Sequence, residues 1–189
     1  METPDGSTTL LLVKACCDEV RHLAGDAAEI GVYRGDSAEM ICRELPTSTV
    51  WLFDTFCGMP TELLQTCDSH FFGAFRNTSE GFVRERLSVY PNASIISGVF
   101  PATARNINTP LRFAHIDVDI YLTTLSALWW AWAKLVPGGI MLCDDYLCGS
   151  CPGALRAVNE FAERAGVHIE EKLLRARFIK PGGLTTCRR

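Results

Sequence analysis

Acidic residues stand at or beside the ends of short apolar runs: Glu29, Asp54, Asp117 and the pair Asp144-Asp145. The runs that lead to them, Ala27 to Val32, Val50 to Asp54, Arg112 to Asp117 and Ile140 to Asp144, have the length and composition of strands. If these strands lie parallel, their acids meet at the carboxyl edge of one sheet, where open α/β sheets bind ligands. Carboxylates gathered in that way repel one another and hold protons unless a cation neutralises them. A hard ion such as Mg²⁺ suits a few carboxylates plus waters, and Asp117, Asp144 and Asp145 are the candidate ligands. Asp119 is either a further member of this cluster or a cap for the helix after it. Candidate general bases are Asp117, Asp119 and His115, or a metal-bound hydroxide.

A second constellation is Glu29-Ile30-Gly31-Val32-Tyr33-Arg34-Gly35-Asp36-Ser37, which reads as strand, glycine turn and helix start. Gly31 and Gly35 allow a sharp bend and a close approach to a ligand, and the helix start offers free N–H groups. A simple tight turn would look the same. Asp54 supports the ligand reading, because it ends the next strand, where a ribose-binding acid belongs in this topology. Tyr33 occupies the place at which a dinucleotide fingerprint needs its second glycine. The expected cofactor therefore lacks a pyrophosphate, as S-adenosylmethionine does.

The elements that must position these residues alternate between strand and helix, the pattern of a mostly parallel α/β sheet. A first helix is expected from about Thr8 to Leu23, and a second starts where Asp36 or Ser37 serves as cap. Beyond the strand ending at Asp54 comes a long irregular stretch through Phe75, then a helix over Glu80 to Tyr90 and a strand over Ala93 to Ser97. Pro137-Gly138-Gly139 stops the helix that ends near Leu135. After the strand ending at Asp144, a helix over Pro152 to Ala165 and two extended runs, Val167 to Leu174 and Ala176 to Lys180, complete the sheet. Trp132 shares a core stripe with Leu125, Leu128 and Leu135, whereas Trp130 falls off it and needs cover from a neighbouring helix or a second subunit.

With 189 residues, 48% of them apolar, 21% charged, and a net charge of −4, the chain has the balance of one globular domain. The acidic balance argues against a nucleic-acid partner. Leu10 to Val13 is too short for a membrane span, so no membrane is expected. Nine cysteines without a disulfide-framework spacing read as reduced thiols of a cytoplasmic protein. Cys148 and Cys151 form a lone C-x-x-C, without the paired spacing of a zinc cluster, and are taken as ordinary thiols.

On Glu29 to Ser37, "FDTFCGMP" from Phe53, "IDVDIYLTT" from Ile116 and "LVPGGIMLCDDY" from Leu135, the chain resembles the macrocin O-methyltransferase family. His70-Phe71 and Phe75 to Val83 add weaker similarity, so that the likeness spans roughly Ala27 to Lys180. The resemblance implies a Rossmann-like class I methyltransferase, seven-stranded with helices on both faces and its last strand antiparallel. It implies a single domain over 1–189, with an amino-terminal helix in 1–26 and a catalytic core in 27–180. Gly31 and Ser37 would then lie at the methionine end of S-adenosylmethionine, Asp54 at the ribose, and Gly98, Val99 and Phe100 along the adenine. Glu29, Tyr33, Gly35 and Asp117 complete the expected cofactor set, and Asp117, Asp144 and Asp145 match the family's metal ligands. Among the bases the resemblance leans towards Asp117; the lysine of the more distant catechol O-methyltransferases falls on Ile120 and is absent.

Family members carry a longer amino-terminal cover than the single helix expected here. The loop from Cys57 to Phe75 is therefore the candidate lid, with His70 and Phe71 shaping the substrate, and a homodimer is expected to complete it. The same loop also reads as a plain surface loop with an aromatic anchor. The expected acceptor is a hydroxyl of a sugar or small natural product. A nicotinamide oxidoreductase is disfavoured by Tyr33, and a non-catalytic module by the costly acidic cluster. Amine methylation of nucleic acid is disfavoured because Asp117-Val118-Asp119-Ile120 stands where such enzymes resemble one another in an Asn/Asp-Pro-Pro-aromatic motif.

Overall fold

A computed structural model describes residues 6–182. Of the expected domain, residues 1–5 and 183–189, the latter with Cys187, lie outside the described residues. Seven strands form one sheet in the order β3-β2-β1-β4-β5-β7-β6. The first five are β1 (Asp26–Ile30), β2 (Val50–Asp54), β3 (Ala93–Ser97), β4 (Leu111–Ile116) and β5 (Leu135–Cys143), and all pair in parallel. The last two, β6 (Glu170–Lys172) and β7 (Arg175–Ile179), form a hairpin whose β7 runs antiparallel to β5. The chain has the expected Rossmann-like, seven-stranded sheet, with its last strand antiparallel.

Helices cover both faces. Helix α1 (Gly6–Val20) buries Val13, Cys16, Cys17 and Val20, at helical spacing, together with Ile41 and Cys42 of α2 (Asp36–Glu44) and Val83 of α3 (Glu80–Arg86). Their sheet partners include Ala27, Leu52, Phe113 and Leu142. On the other face, Leu128 of α4 (Tyr121–Lys134) and Phe161 of α5 (Pro152–Ala165) pack on Ala28, Ala114, Ile116 and Met141.

Some boundaries differ from expectation. Helix α1 stops at Val20 in a turn closed by Leu23 N–H to the Val20 carbonyl. Neither Asp36 nor Ser37 caps α2: Gly35, at φ 86°, holds the N-cap position. Helix α3 begins at the Ser79 cap, whose hydroxyl accepts from Phe82 N–H, and ends short of Tyr90 in a turn before Pro91. Strand β5 starts directly where α4 ends. Leu135 pairs with Leu111, and Pro137-Gly138-Gly139 forms an irregularity before Ile140 pairs with Phe113. Lys180 holds that irregularity through backbone bonds to Gly138 and Gly139.

The carboxyl edge is level across five strands. Backbone bonds of 2.9 Å run from Gly98 to Asp54, from Gly31 to Phe53, from Asp117 to Ile30 and from Asp144 to Ile116. Residues just past the strands are thereby brought side by side.

Candidate cofactor cleft and acidic cluster

A cleft with about 830 Å³ of empty space, mouth included, opens above β1, β2 and β4. Gly31, Tyr33, Asp54, Gly98, Val99, Phe100, Asp117 and Asp119 all line it. Glu29, Gly35, Ser37, His115, Asp144 and Asp145 do not. Phe53 and Phe100 form one apolar wall, braced from behind by Trp130 at ring-centroid distances of 5.6 Å to each. Neighbours within the chain thus cover Trp130, and it needs no second subunit for that. No Lys or Arg lines the cleft among the described residues.

The glycine turn is shaped by its neighbours more than sequence alone suggests. A Cβ at Gly31 would lie 1.7 Å from the Asp117 carbonyl oxygen, so the close approach that demands glycine is that of β4's own backbone. Tyr33 sits at φ 51°, and Asp54 steadies it: one carboxylate oxygen accepts from Val32 N–H at 2.8 Å and Tyr33 N–H at 2.7 Å. The other oxygen accepts from Phe56 N–H at 2.7 Å. Asp54 therefore lies on the cleft wall and also ties β2's exit to the turn.

At the other end, carboxylate oxygens of Asp117, Asp144 and Asp145 lie within 4.8 Å of one another. Three carboxylates gathered this closely are the donor set that an ion of the Mg²⁺ class prefers, so Asp117, Asp144 and Asp145 are the residues that could hold one. Burial, and then the charges of Asp145, Asp144 and Asp119, push Asp117 well above the usual carboxylate range. Burial followed by Asp119 and Asp144 does the same to Asp145. Asp144 is held differently. Its Oδ1 accepts from the buried guanidinium of Arg175, which also donates to the Thr9 hydroxyl of α1. The sequence pattern did not single out Arg175; an arginine at the junction of the extended runs ending at Leu174 and starting at Ala176 was the available signal.

Asp119 is not the cap of α4. The residue before that helix is Ile120, and the Tyr121 N–H is met instead by Asp68 Oδ1 at 2.8 Å, from the loop. With φ 59°, Asp119 donates its own N–H to Asp145 Oδ2 at 2.9 Å and turns its carboxylate towards Cys151 and His70. Burial raises it to about 6, although the Cys151 thiol, donating across 3.3 Å, opposes that.

His115 and Glu29 are corrected by their positions. They face each other across the β1–β4 register on the α1 and α2 side of the sheet, both fully buried, with Nδ1 2.8 Å from Oε1. Burial alone would lower the imidazole, yet the Glu29 hydrogen bond and charge outweigh it and raise the pKa. Alternation along a strand puts residue 115 on the opposite face from residues 114 and 116, away from any acceptor. Of the side-chain bases considered, the structure brings Asp117 and Asp119 to the cleft.

The irregular stretch folds back over the turn. Tyr33 OH meets Asn77 Oδ1 at 2.8 Å, the Thr78 hydroxyl donates to the Tyr33 carbonyl at 2.6 Å, and Phe75 packs edge-on against Tyr33. Phe71 and Phe72 are exposed.

The macrocin-O-methyltransferase (TylF) family profile matches residues 3–175. The chain belongs to the macrocin O-methyltransferase family. Similar members include mycinamicin III 3''-O-methyltransferase of Micromonospora griseorubida, 30% identical over 77% of this chain and 63% of that protein. Demethyldecarbamoylnovobiocin O-methyltransferase of Streptomyces niveus is 28% identical over 86% of this chain and 67% of that protein. The chain thus spans about two thirds of the length of these relatives. Among solved structures, the O-methyltransferase NovP superposes with a TM-score of 0.81 at 25% identity, covering 94% of this chain and 81% of NovP. Among the described residues, no helix is long and apolar enough to cross a membrane.

Proposed function

We propose that this member of the macrocin O-methyltransferase family transfers a methyl group from S-adenosylmethionine to a hydroxyl of a sugar or other small natural product, with a divalent cation at Asp117, Asp144 and Asp145. One observation carries the reading: a single cleft joins the Gly31–Asp54 wall to the Asp117–Asp119 acids. That arrangement supports a nucleoside at one end and a hydroxyl at the other.

S-adenosylmethionine supplies a methyl group activated by its sulfonium charge. The divalent cation, when bound, supplies Lewis acidity towards the acceptor oxygen. The chain's own residues supply placement. Phe53, Phe100 and Val99 offer an apolar slot for adenine, and Asp54 keeps acceptor capacity for ribose hydroxyls beside its backbone bonds. The lack of cationic side chains along the described cleft suits a cofactor without phosphates. Holding the acceptor oxygen in line with the methyl group removes much of the entropic barrier.

Asp119 takes the acceptor's proton. It lines the cleft, and its carboxylate is not a member of the Asp117, Asp144 and Asp145 trio, so it stays available as a proton acceptor. That geometry favours Asp119 over Asp117, which belongs to the trio. The test is a methyl-transfer screen with labelled S-adenosylmethionine over diol-bearing sugars and catechols, with and without Mg²⁺. Transfer that needs Mg²⁺ and falls at least a hundredfold in Asp119→Asn is expected; Mg²⁺-independent transfer would remove the metal from the mechanism.

A further inference from the structure

Beside the carboxylate trio lies a second cluster of different chemistry. The liganding atoms of His70, Asp119 and Cys151 all stand within 4.8 Å of one another. His70 Nε2 is 3.7 Å from Asp119 Oδ1, too long for a hydrogen bond, and the Cys151 sulfur is 3.3 Å from that same oxygen. A tetrahedral ion with bonds of about 2.1 Å to nitrogen and oxygen and about 2.3 Å to sulfur separates its ligands by roughly 3.4–3.6 Å. The two spacings that involve Asp119 come within about 0.3 Å of that geometry before any ion is added. The His70 ring is held by packing against Phe75, with centroids 5.4 Å apart, which leaves Nε2 to ligate. Its Nδ1 is buried and has no partner among the described residues. Cys151 is buried at the start of α5, while His70 comes from the loop over the cleft.

We propose that His70, Asp119 and Cys151 form a binding site for a thiophilic divalent cation of the Zn²⁺ class, distinct from the carboxylate trio. Thiolate and imidazole together select such an ion over Mg²⁺, which prefers oxygen. On binding, the Cys151 thiol proton leaves to solvent as the sulfur–metal bond forms, and a water completes the fourth position. Because Asp119 becomes a ligand, its carboxylate is withdrawn from proton transfer, and the ion acts as an inhibitor. That consequence rests on the methyltransferase reading; the site itself does not.

Cobalt(II) is the probe, added to the whole protein in millimolar Mg²⁺ so that the trio is filled. A thiolate-to-cobalt charge-transfer band in the near ultraviolet, with intense visible bands of a four-coordinate ion, is the expected result. Cys151→Ser should abolish the charge-transfer band, and His70→Ala should weaken binding at least tenfold. Cys148→Ser should keep the band, and circular dichroism should show each variant folded. No band in the wild type overturns the proposal, as does a band kept in Cys151→Ser or lost in Cys148→Ser. In turnover assays, micromolar Zn²⁺ should slow the wild type tenfold or more at saturating Mg²⁺, and Cys151→Ser less than twofold relative to its own zinc-free rate. Cobalt binding at these residues without zinc inhibition would overturn the inhibitory role. Should no acceptor be methylated, the reaction assignment fails while the cobalt spectrum still decides the site.

Discussion

The guanidinium of Arg175, on β7, donates to Asp144 Oδ1 at the end of β5, and Arg175 is fully buried. Considered by itself, an acidic trio predicts that removing one charge relieves repulsion. This pair reverses that expectation for Asp144. Breaking a buried pair leaves a guanidinium without its counter-charge, at a cost of the order of 3 kcal/mol. Asp144→Asn should therefore lower stability in metal-free buffer, read as a lower urea midpoint at unchanged slope. An equal or higher midpoint would show that repulsion within the trio dominates.

Asp54 bonds three backbone N–H groups as well as lining the cleft. Asp54→Ala should weaken S-adenosylmethionine binding by about 1.5–3 kcal/mol, the range for hydrogen bonds to a charged group. The melting temperature of the ligand-free protein should fall as well, because the turn at Tyr33 loses its brace. Calorimetry and thermal unfolding on the same preparation separate the two effects. Unchanged affinity would take Asp54 out of the cofactor site.

Asp119 predicts a pH signature in chelated protein. Its folded pKa of about 6 lies above the ordinary 3.8, so the folded state binds the extra proton. The associated stability is present below pH 4 and is lost as pH rises through 6. Asp119→Asn removes this loss, so its stability advantage over wild type should grow between pH 4.5 and 7.5, by an amount of the order of 2 kcal/mol. Saturating Mg²⁺ should shrink the gap. A difference independent of pH would show that Asp119 titrates normally.

Asp68 reaches Tyr121 N–H from another part of the chain. Asp68→Ala should cost about 1 kcal/mol, as for loss of a helix cap. Amide exchange should quicken at the first turn of α4 and in the loop around residue 68, and nowhere in β1 or β4. Exchange that stays slow at Tyr121 would show that water replaces the carboxylate without penalty.

Much of this was legible because local and global signals agree. Short apolar runs gave β2 and β3 at their observed bounds and β1 and β4 within two residues, and the acids at or beside the ends of β2, β4 and β5 placed Asp54, Asp117, Asp144 and Asp145 near one edge. What stayed hidden depends on contacts distant in sequence. Asp68 caps a helix that starts 53 positions later, and Arg175 meets an aspartate 31 positions earlier. His115 looked like a base because its neighbour Asp117 reaches the cleft. Alternation would put residues 115 and 117 on one face; the strand ends at Ile116, and only the facing Glu29 shows where the His115 ring lies. The early start of β5 was hidden because Pro137-Gly138-Gly139 reads as a loop, while pairing with Leu111 and Lys180 holds it against the sheet.

Asp68, His70, Asn77 and Thr78 belong to one connection between β2 and α3, and they touch α4's start, the acidic cluster and the Tyr33 turn. Any displacement of this connection would remove the carboxylate that meets the first turn of α4 and, at the same time, the bonds that hold the Tyr33 turn. The order of a helix end and the shape of a glycine turn, past two different strands, thus hang on one segment of chain.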